Sequence, residues 1–189
     1  MEKGQVKKLV LIGGSAGSIE VLMAVLPRLP IGMDFPIVVV LHRKSSDDNT
    51  LEELFAMKTH VPVREIEDKT RIENGSLYVV PADYHLLFES NGTVSLDVSE
   101  KVHYSRPSID VVFESAAATY KEGVVAILLS GSNADGALGC VRVQENGGTV
   151  VVQNPAEAEM PFMPNSAIQL LKPDFIASTD DIASLIGRI

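Results

Sequence analysis

Three polar side chains follow three apolar runs in this sequence. Ser15 follows "LVLIGG", His42 follows "IVVVL", and Asp135 lies a few residues past "VVAILLS". A serine hydroxyl is a weak nucleophile until a base takes its proton. A carboxylate must in turn orient that base and stabilise its charge. Together these residue types supply acyl-transfer chemistry at a carbonyl. The expected geometry puts His42 Nε2 within about 2.6–3.2 Å of Ser15 Oγ, with Asp135 on the other ring nitrogen.

The spacing around the serine sharpens this reading. Gly13-Gly14-Ser15-Ala16-Gly17 fits G-x-S-x-G. A serine on a sharp strand-to-helix turn needs small neighbours, because larger side chains would collide. The following helix brings backbone N–H groups close, where an oxyanion can be held. A glycine-rich turn after a first strand also suits a phosphate, so nucleotide or phosphate binding is a rival reading. Two observations weigh against it. G-x-G-x-x-G is absent, since Gly13 and Gly14 are adjacent, and so is the Gly-Lys-Ser/Thr of a P-loop. Taken singly, His42 is ordinary polar punctuation at a strand end and Asp135 an ordinary helix cap. The chain order serine, histidine, aspartate differs from the serine, acid, histidine of α/β-hydrolases.

The elements that must position these groups are legible in the apolar pattern. Leu9–Ile12, "FPIVVVLH", "VVAILLS" and "TVVVQNP" read as buried strands. "VPVREIED" and "GSLYVVP" read as shorter ones. Ile19–Leu26 reads as a helix, and "NTLEELFAMK" as another with Asn49 or Thr50 as cap. "YHLLFESNGTVSLDV" is a hairpin whose Asn91-Gly92 suits a type I′ turn. "SRPSIDVVFESAAATYK" is a helix with Pro107 at its first turn, stopped by Gly123. "ADGALGCVRVQENGG" is a further helix. "PDFIASTDDIASLIGRI" is a short strand and a helix capped by Thr179. Such alternation implies an α/β fold: a mostly parallel, doubly wound sheet with helices on both faces and an antiparallel hairpin added. Ligands bind such sheets at the carboxyl ends of the strands, where Ser15, His42 and Asp135 fall. One domain over residues 1–189 is expected.

Composition narrows the function classes. The net charge is −9, so no basic surplus exists to neutralise nucleic-acid phosphates or seek an anionic membrane. No apolar run approaches the ~18 residues of a spanning helix. The start shows no secretory pattern, and one cysteine, Cys140, allows no intrachain disulfide. A cytoplasmic protein is expected. The four histidines are far apart and no ligand pair has zinc-like spacing, so neither a metal nor an organic cofactor is expected.

The chain resembles the catalytic domain of bacterial chemotaxis protein-glutamate methylesterases, the CheB family. "IGGSAGS" resembles the family's "IGASTGG", "VVVLHR" the strand ending in "QHM", and "YSRPSIDVVFES" the family's "HRPSVDVLFHS". "LSGSNADGALG" resembles "LTGMGNDGAAG", and "VVQNPAEAEMPFMPNSAI" resembles "AQNEASCVVFGMPREAI". The resemblance implies a triad of Ser15, His42 and Asp135 acting on γ-glutamyl methyl esters of chemoreceptors. Family members also hydrolyse receptor glutamine amides, and no metal or cofactor is implied.

The departures bear on the site. The family's threonine after the nucleophile is Ala16, the second glycine of "STGG" is Ser18, and the methionine of "GMGNDG" is Ser132. Ala16 then offers only its backbone N–H to an oxyanion, and the backbone N–H of Ser132 can still donate. A binding or regulatory module with weak turnover is the alternative this loss suggests. Arg43-Lys44-Ser45-Ser46-Asp47-Asp48 replaces the family's "MPPGFT" beside the cleft. The family's receiver domain has no counterpart here, so a separate regulatory or receiver partner is expected. Met160, Met163 and Pro164 are expected on a loop flanking the site. Arg106 is placed at its border or behind it. Cys140 is read as a buried structural thiol, and Asp110 and Glu114 as solvated or salt-paired helix residues.

Overall fold

The computed structural model describes residues 6–44 and 50–189. The strands are β1 (Leu9–Gly14), β2 (Ile37–Leu41), β3 (Val63–Glu65), β4 (Leu77–Val79), β5 (His85–Phe88), β6 (Val94–Asp97), β7 (Val124–Leu128), β8 (Thr149–Gln153) and β9 (Phe175–Ala177). The helices are α1 (Ser18–Val25), α2 (Thr50–Ala56), α3 (Ile109–Tyr120), α4 (Ala137–Glu145), α5 (Phe162–Leu170) and α6 (Thr179–Ile186). Seven strands form one sheet in the order β3-β4-β2-β1-β7-β8-β9, and all its pairings are parallel. β5 and β6 pair separately and antiparallel.

Every residue of β1 and β2 is buried, which is why both read as unbroken apolar runs. Alternate residues serve opposite faces. Leu9, Leu11, Val38 and Val40 pack with Ile109 and Phe113 of α3, Cys140 of α4 and Ala167 of α5. Val10, Ile12 and Val39 pack with Leu22 and Val25 of α1, Phe55 of α2 and Ile182 of α6. Each fully buried aliphatic or aromatic side chain contributes about 1.5–3 kcal/mol. That doubly covered centre fixes where β1, β2 and β7 end. Cys140 is buried in it, and burial pushes its thiol up, away from reactivity.

Several local expectations are corrected. The β5–β6 turn is not type I′, because Asn91 keeps a negative φ and only Gly92 is left-handed, at φ 81°. The Asn91 side chain accepts from Thr93 N at 2.9 Å, and Gly92 N donates to Glu89 O at 3.1 Å. A tight turn followed by a left-handed glycine results. α6 is capped by Ser178 rather than Thr179, in a reciprocal capping box with Asp181. α3 starts at Ile109 with Ser108 as its cap, so Pro107 lies before the helix instead of in its first turn. Met163 and Pro164 lie within α5 rather than on a loop before it. Asn49, a proposed cap of α2, lies outside the described residues.

α3 and α4 meet where Gly139 faces α3. A Cβ on Gly139 would come within 2.7 Å of Phe113 Cβ and 3.1 Å of Asp110 Cα. Gly139→Val is therefore expected to destabilise the fold by about 2–3 kcal/mol through overpacking, measured by urea unfolding.

Candidate active site

The sheet register brings the serine and the histidine together. Gly14 of β1 sits opposite Leu41 of β2, so the next residues, Ser15 and His42, emerge side by side from strands spaced about 4.8 Å apart. His42 N donates to Gly14 O at 3.3 Å, and Ser15 N donates to Ser130 O, beyond β7, at 2.9 Å. Gly13 and Gly17 are required by their surroundings. A Cβ on Gly13 would lie 2.6 Å from Ile109 Cγ2. Gly17 is left-handed at φ +80°, with Ser130 Oγ 2.7 Å from where its Cβ would be. Two buried serines hold the turn. Ser18 Oγ donates to Ser15 O at 2.6 Å, and Ser130 Oγ donates to Ala16 O at 2.7 Å. Among the described residues, the N–H groups of Ala16 and Gly17 have no acceptor, so both are available as donors.

Asp135 is fully buried and is seated on the N-terminus of α3. Its Oδ1 accepts from Ser108 Oγ at 2.8 Å and Asp110 N at 3.0 Å. Its Oδ2 accepts from Ile109 N at 2.7 Å and pairs with His42 Nε2 at 2.7 Å. Burial alone would raise this carboxyl. The bonds from His42, Asp110 N, Ile109 N and Ser108 outweigh it and hold the group below its ordinary value. Asp135 is thus a fixed anion, already ionised at neutral pH.

The N-terminus of α4 is served in return. Asp110, in the first turn of α3, accepts from Gly136 N at 2.9 Å and Gly139 N at 2.6 Å. Gly136 caps α4 without a side chain of its own, and Asp110 supplies the missing acceptor. Burial and the charge of Asp135 hold Asp110 above its ordinary value, against the bond from Gly139 N. His103 Nε2 lies 3.1 Å from Asp110 Oδ2. Behind Ser108, buried His85 accepts from Ser108 N at Nδ1 (3.1 Å) and donates from Nε2 to Glu100 O (2.9 Å). His85 is therefore neutral in that arrangement, and it anchors the start of α3 to the segment after β6.

The expected atom assignment at His42 is reversed. Nε2, not the other ring nitrogen, meets Asp135. Strand order gives the reason: β1 lies between β2 and β7, so the carboxylate stands two strands from the histidine and the distal nitrogen reaches it. Nδ1 is left over. Neither it nor Ser15 Oγ has a hydrogen-bond partner among the described residues.

The lower-ranked candidates separate. Ala16 and Ser132 are exposed beside the turn. Met163 is fully buried, and its side chain lies where a Cβ on Gly131 would be, 2.4 Å from Cε. Met163 thus backs the Gly131 loop rather than lining the site, and its N–H donates to Gly131 O at 3.0 Å. Arg106 Nη1 donates to Val98 O and Ser99 O, both at 2.7 Å, and so ties down the end of the hairpin. Arg43 pairs with Glu52 and Glu65, while Ser45–Asp48 lie outside the described residues. Asp110 is neither solvated nor simply salt-paired, because two α4 amides hold it; Glu114 is exposed. Ser108, Ser130, Gln153 and His85 were missed as supports. Gln153 Oε1 accepts from Ser130 N at 2.8 Å. Only the polar residues inside apolar stretches signalled them. His103, Asp110 and Asp135 bring ligand-type atoms within 4.8 Å of one another, but both carboxylates are already engaged by backbone amides.

A serine on a tight turn, a histidine and a buried carboxylate thus lie at the ends of three adjacent strands. Comparison with known proteins narrows the class. The family model described as CheB methylesterase matches residues 10–186, and the chain belongs to this family. A protein of Leptospira interrogans, provisionally named a protein-glutamate methylesterase/protein-glutamine glutaminase, is 40% identical over 180 residues, 95% of this chain and 93% of that one. The Thermotoga maritima protein-glutamate methylesterase/protein-glutamine glutaminase is 34% identical over 172 residues, covering 89% of this chain but 50% of that protein. The crystal structure of the Thermotoga maritima CheB methylesterase catalytic domain superposes with a TM-score of 0.93 at 31% identity, covering 97% of this chain and 99% of that one.

The depressed Asp135 carboxyl has a sign that can be tested. Its contribution to stability is full above the unfolded value of about 3.8 and is lost as pH falls through the lower folded value. Asp135→Asn is expected to lose about 3 kcal/mol at pH 7. The gap to wild type should stay constant down to about pH 5 and narrow below the ordinary carboxylate range, as read from urea unfolding at each pH.

Proposed function

We propose that this CheB methylesterase domain hydrolyses γ-glutamyl methyl esters of chemotaxis receptors, with Ser15, His42 and Asp135 as its catalytic groups. Ser15 Oγ attacks the ester carbonyl while His42 Nδ1 takes its proton. The oxyanion forms beside the backbone N–H of Ala16, with the backbone N–H of Ser132 as a second donor. His42 returns the proton to the departing methoxide, and methanol leaves. Water, deprotonated by the same nitrogen, then attacks the acyl-serine; His42 returns that proton to Ser15 Oγ as the acyl bond breaks, and the glutamate carboxylate is released. A glutamine amide follows the same course with ammonia as leaving group. Asp135 stabilises the imidazolium formed in each half-reaction.

The observation that carries this reading is the 2.7 Å contact between His42 Nε2 and a buried carboxylate, one residue beyond the strand paired with the one that delivers Ser15. Protein substrates fit a site at the rim of the sheet, where Ala16 and Ser132 are exposed. Residues 1–189 act as one catalytic domain in the cytoplasm, where receptor signalling segments lie. No helix among the described residues is long and apolar enough to cross a membrane.

Methanol release from methylated receptor tests the assignment. Wild type should release it, and Ser15→Ala should lose at least about 10³-fold in rate. A fluorophosphonate should label wild type at Ser15 and leave the variant unlabelled. Equal release from both proteins would remove Ser15 from the reaction.

A further inference from the structure

We infer that Gly14 and Ser18 form an interlocked pair that orients the nucleophile turn, with Ser18 as a positioning residue for the backbone donor at Ala16. The inference rests on the serine-hydrolase reading above. Ser18 is fully buried at the start of α1. Its hydroxyl donates to Ser15 O at 2.6 Å, and Ser18 N donates to the same oxygen at 3.1 Å. The Ser15–Ala16 peptide is therefore held from its carbonyl side by two donors. In a trans peptide the N–H points opposite to the C=O. The Ala16 N–H is thereby turned away from Ser18, on an exposed residue, and has no acceptor among the described residues.

The space for Ser18 exists only because residue 14 is glycine. A Cβ on Gly14 would lie 2.5 Å from Ser18 Cβ and 2.8 Å from Ser18 Oγ. Gly14 is also the residue whose carbonyl accepts from His42 N, so displacing it disturbs the base as well as the nucleophile. The methylesterase motif that this stretch resembles, "IGASTGG", has alanine and glycine at these two places, the reverse distribution of small side chains. It also has a threonine where this chain has Ala16, a residue with no side-chain donor. The hydroxyl of Ser18 fixes the backbone donor on which this chain must rely.

The test is a double-mutant cycle on the intact chain with two readouts. Gly14→Ala alone should lower the melting temperature by about 5 °C through overpacking. Adding Ser18→Gly should restore most of that loss, since it removes the colliding atoms. Ser18→Ala keeps Cβ and loses the hydroxyl. It should fold like wild type, yet its kcat and its rate of fluorophosphonate labelling at Ser15 should fall about tenfold with KM unchanged. Additive melting shifts in the cycle would overturn the interlock. An unchanged labelling rate and kcat in Ser18→Ala would overturn the positioning role. Failure of wild type to label at Ser15 would instead sink the hydrolase reading, and the melting arm would still report on the pair.

Discussion

The site depends on one buried carboxylate being held ionised. Taking the charge of Asp135 out of water costs several kcal/mol unless donors replace the solvent. Two α3 amides, the Ser108 hydroxyl and the His42 ring do so. The positive end of the α3 dipole favours the same charge. The carboxylate cannot swing, because its two oxygens are divided among four donors. The imidazole that meets it is constrained in turn, so the histidine's orientation is inherited from a helix on the far side of the central strand.

That constraint links layers that are distant in sequence. Asp135 lies after β7 but caps α3, while Asp110 lies in α3 but caps α4. The N-terminus of α3 takes an acceptor from the residues leading into α4, and the N-terminus of α4 takes one from α3. α3 and α4 therefore cannot separate without exposing one carboxylate and stranding several amides. Gly136 and Gly139 make the exchange possible by bringing backbone to within hydrogen-bond distance of a side chain. The dependence of the buried Asp135 carboxylate on helix packing explains why so much polar machinery lies behind Ser15 and His42.

Much of this was legible in the residues. β1, β2 and β7 are buried on both faces, so their apolar runs stood out and their ends marked Ser15, His42 and the approach to Asp135. Strand order was not legible, because neighbouring strands leave no mark on one another's sequence, and neither was the nitrogen of His42 that meets Asp135, which depends on that order. Asp110 looked like an ordinary first-turn acid, since its partners Gly136 and Gly139 belong to another helix. Ser108 looked like a helix start and is one, but its hydroxyl also serves Asp135. Asn91-Gly92 signalled a turn correctly and its type incorrectly, because the asparagine side chain replaced a left-handed backbone.

With Nε2 committed to Asp135, the only ring nitrogen left for Ser15 is Nδ1. Proton transfer from Ser15 therefore requires one tautomer of His42, protonated at Nε2 and bare at Nδ1 in the resting enzyme. Long-range ¹H–¹⁵N correlation spectra of the folded chain at neutral pH, with His42 assigned by substitution, read this directly. A protonated Nε2 shift and an unprotonated Nδ1 shift are expected for this residue. A proton on Nδ1 with Nε2 bare would contradict that transfer.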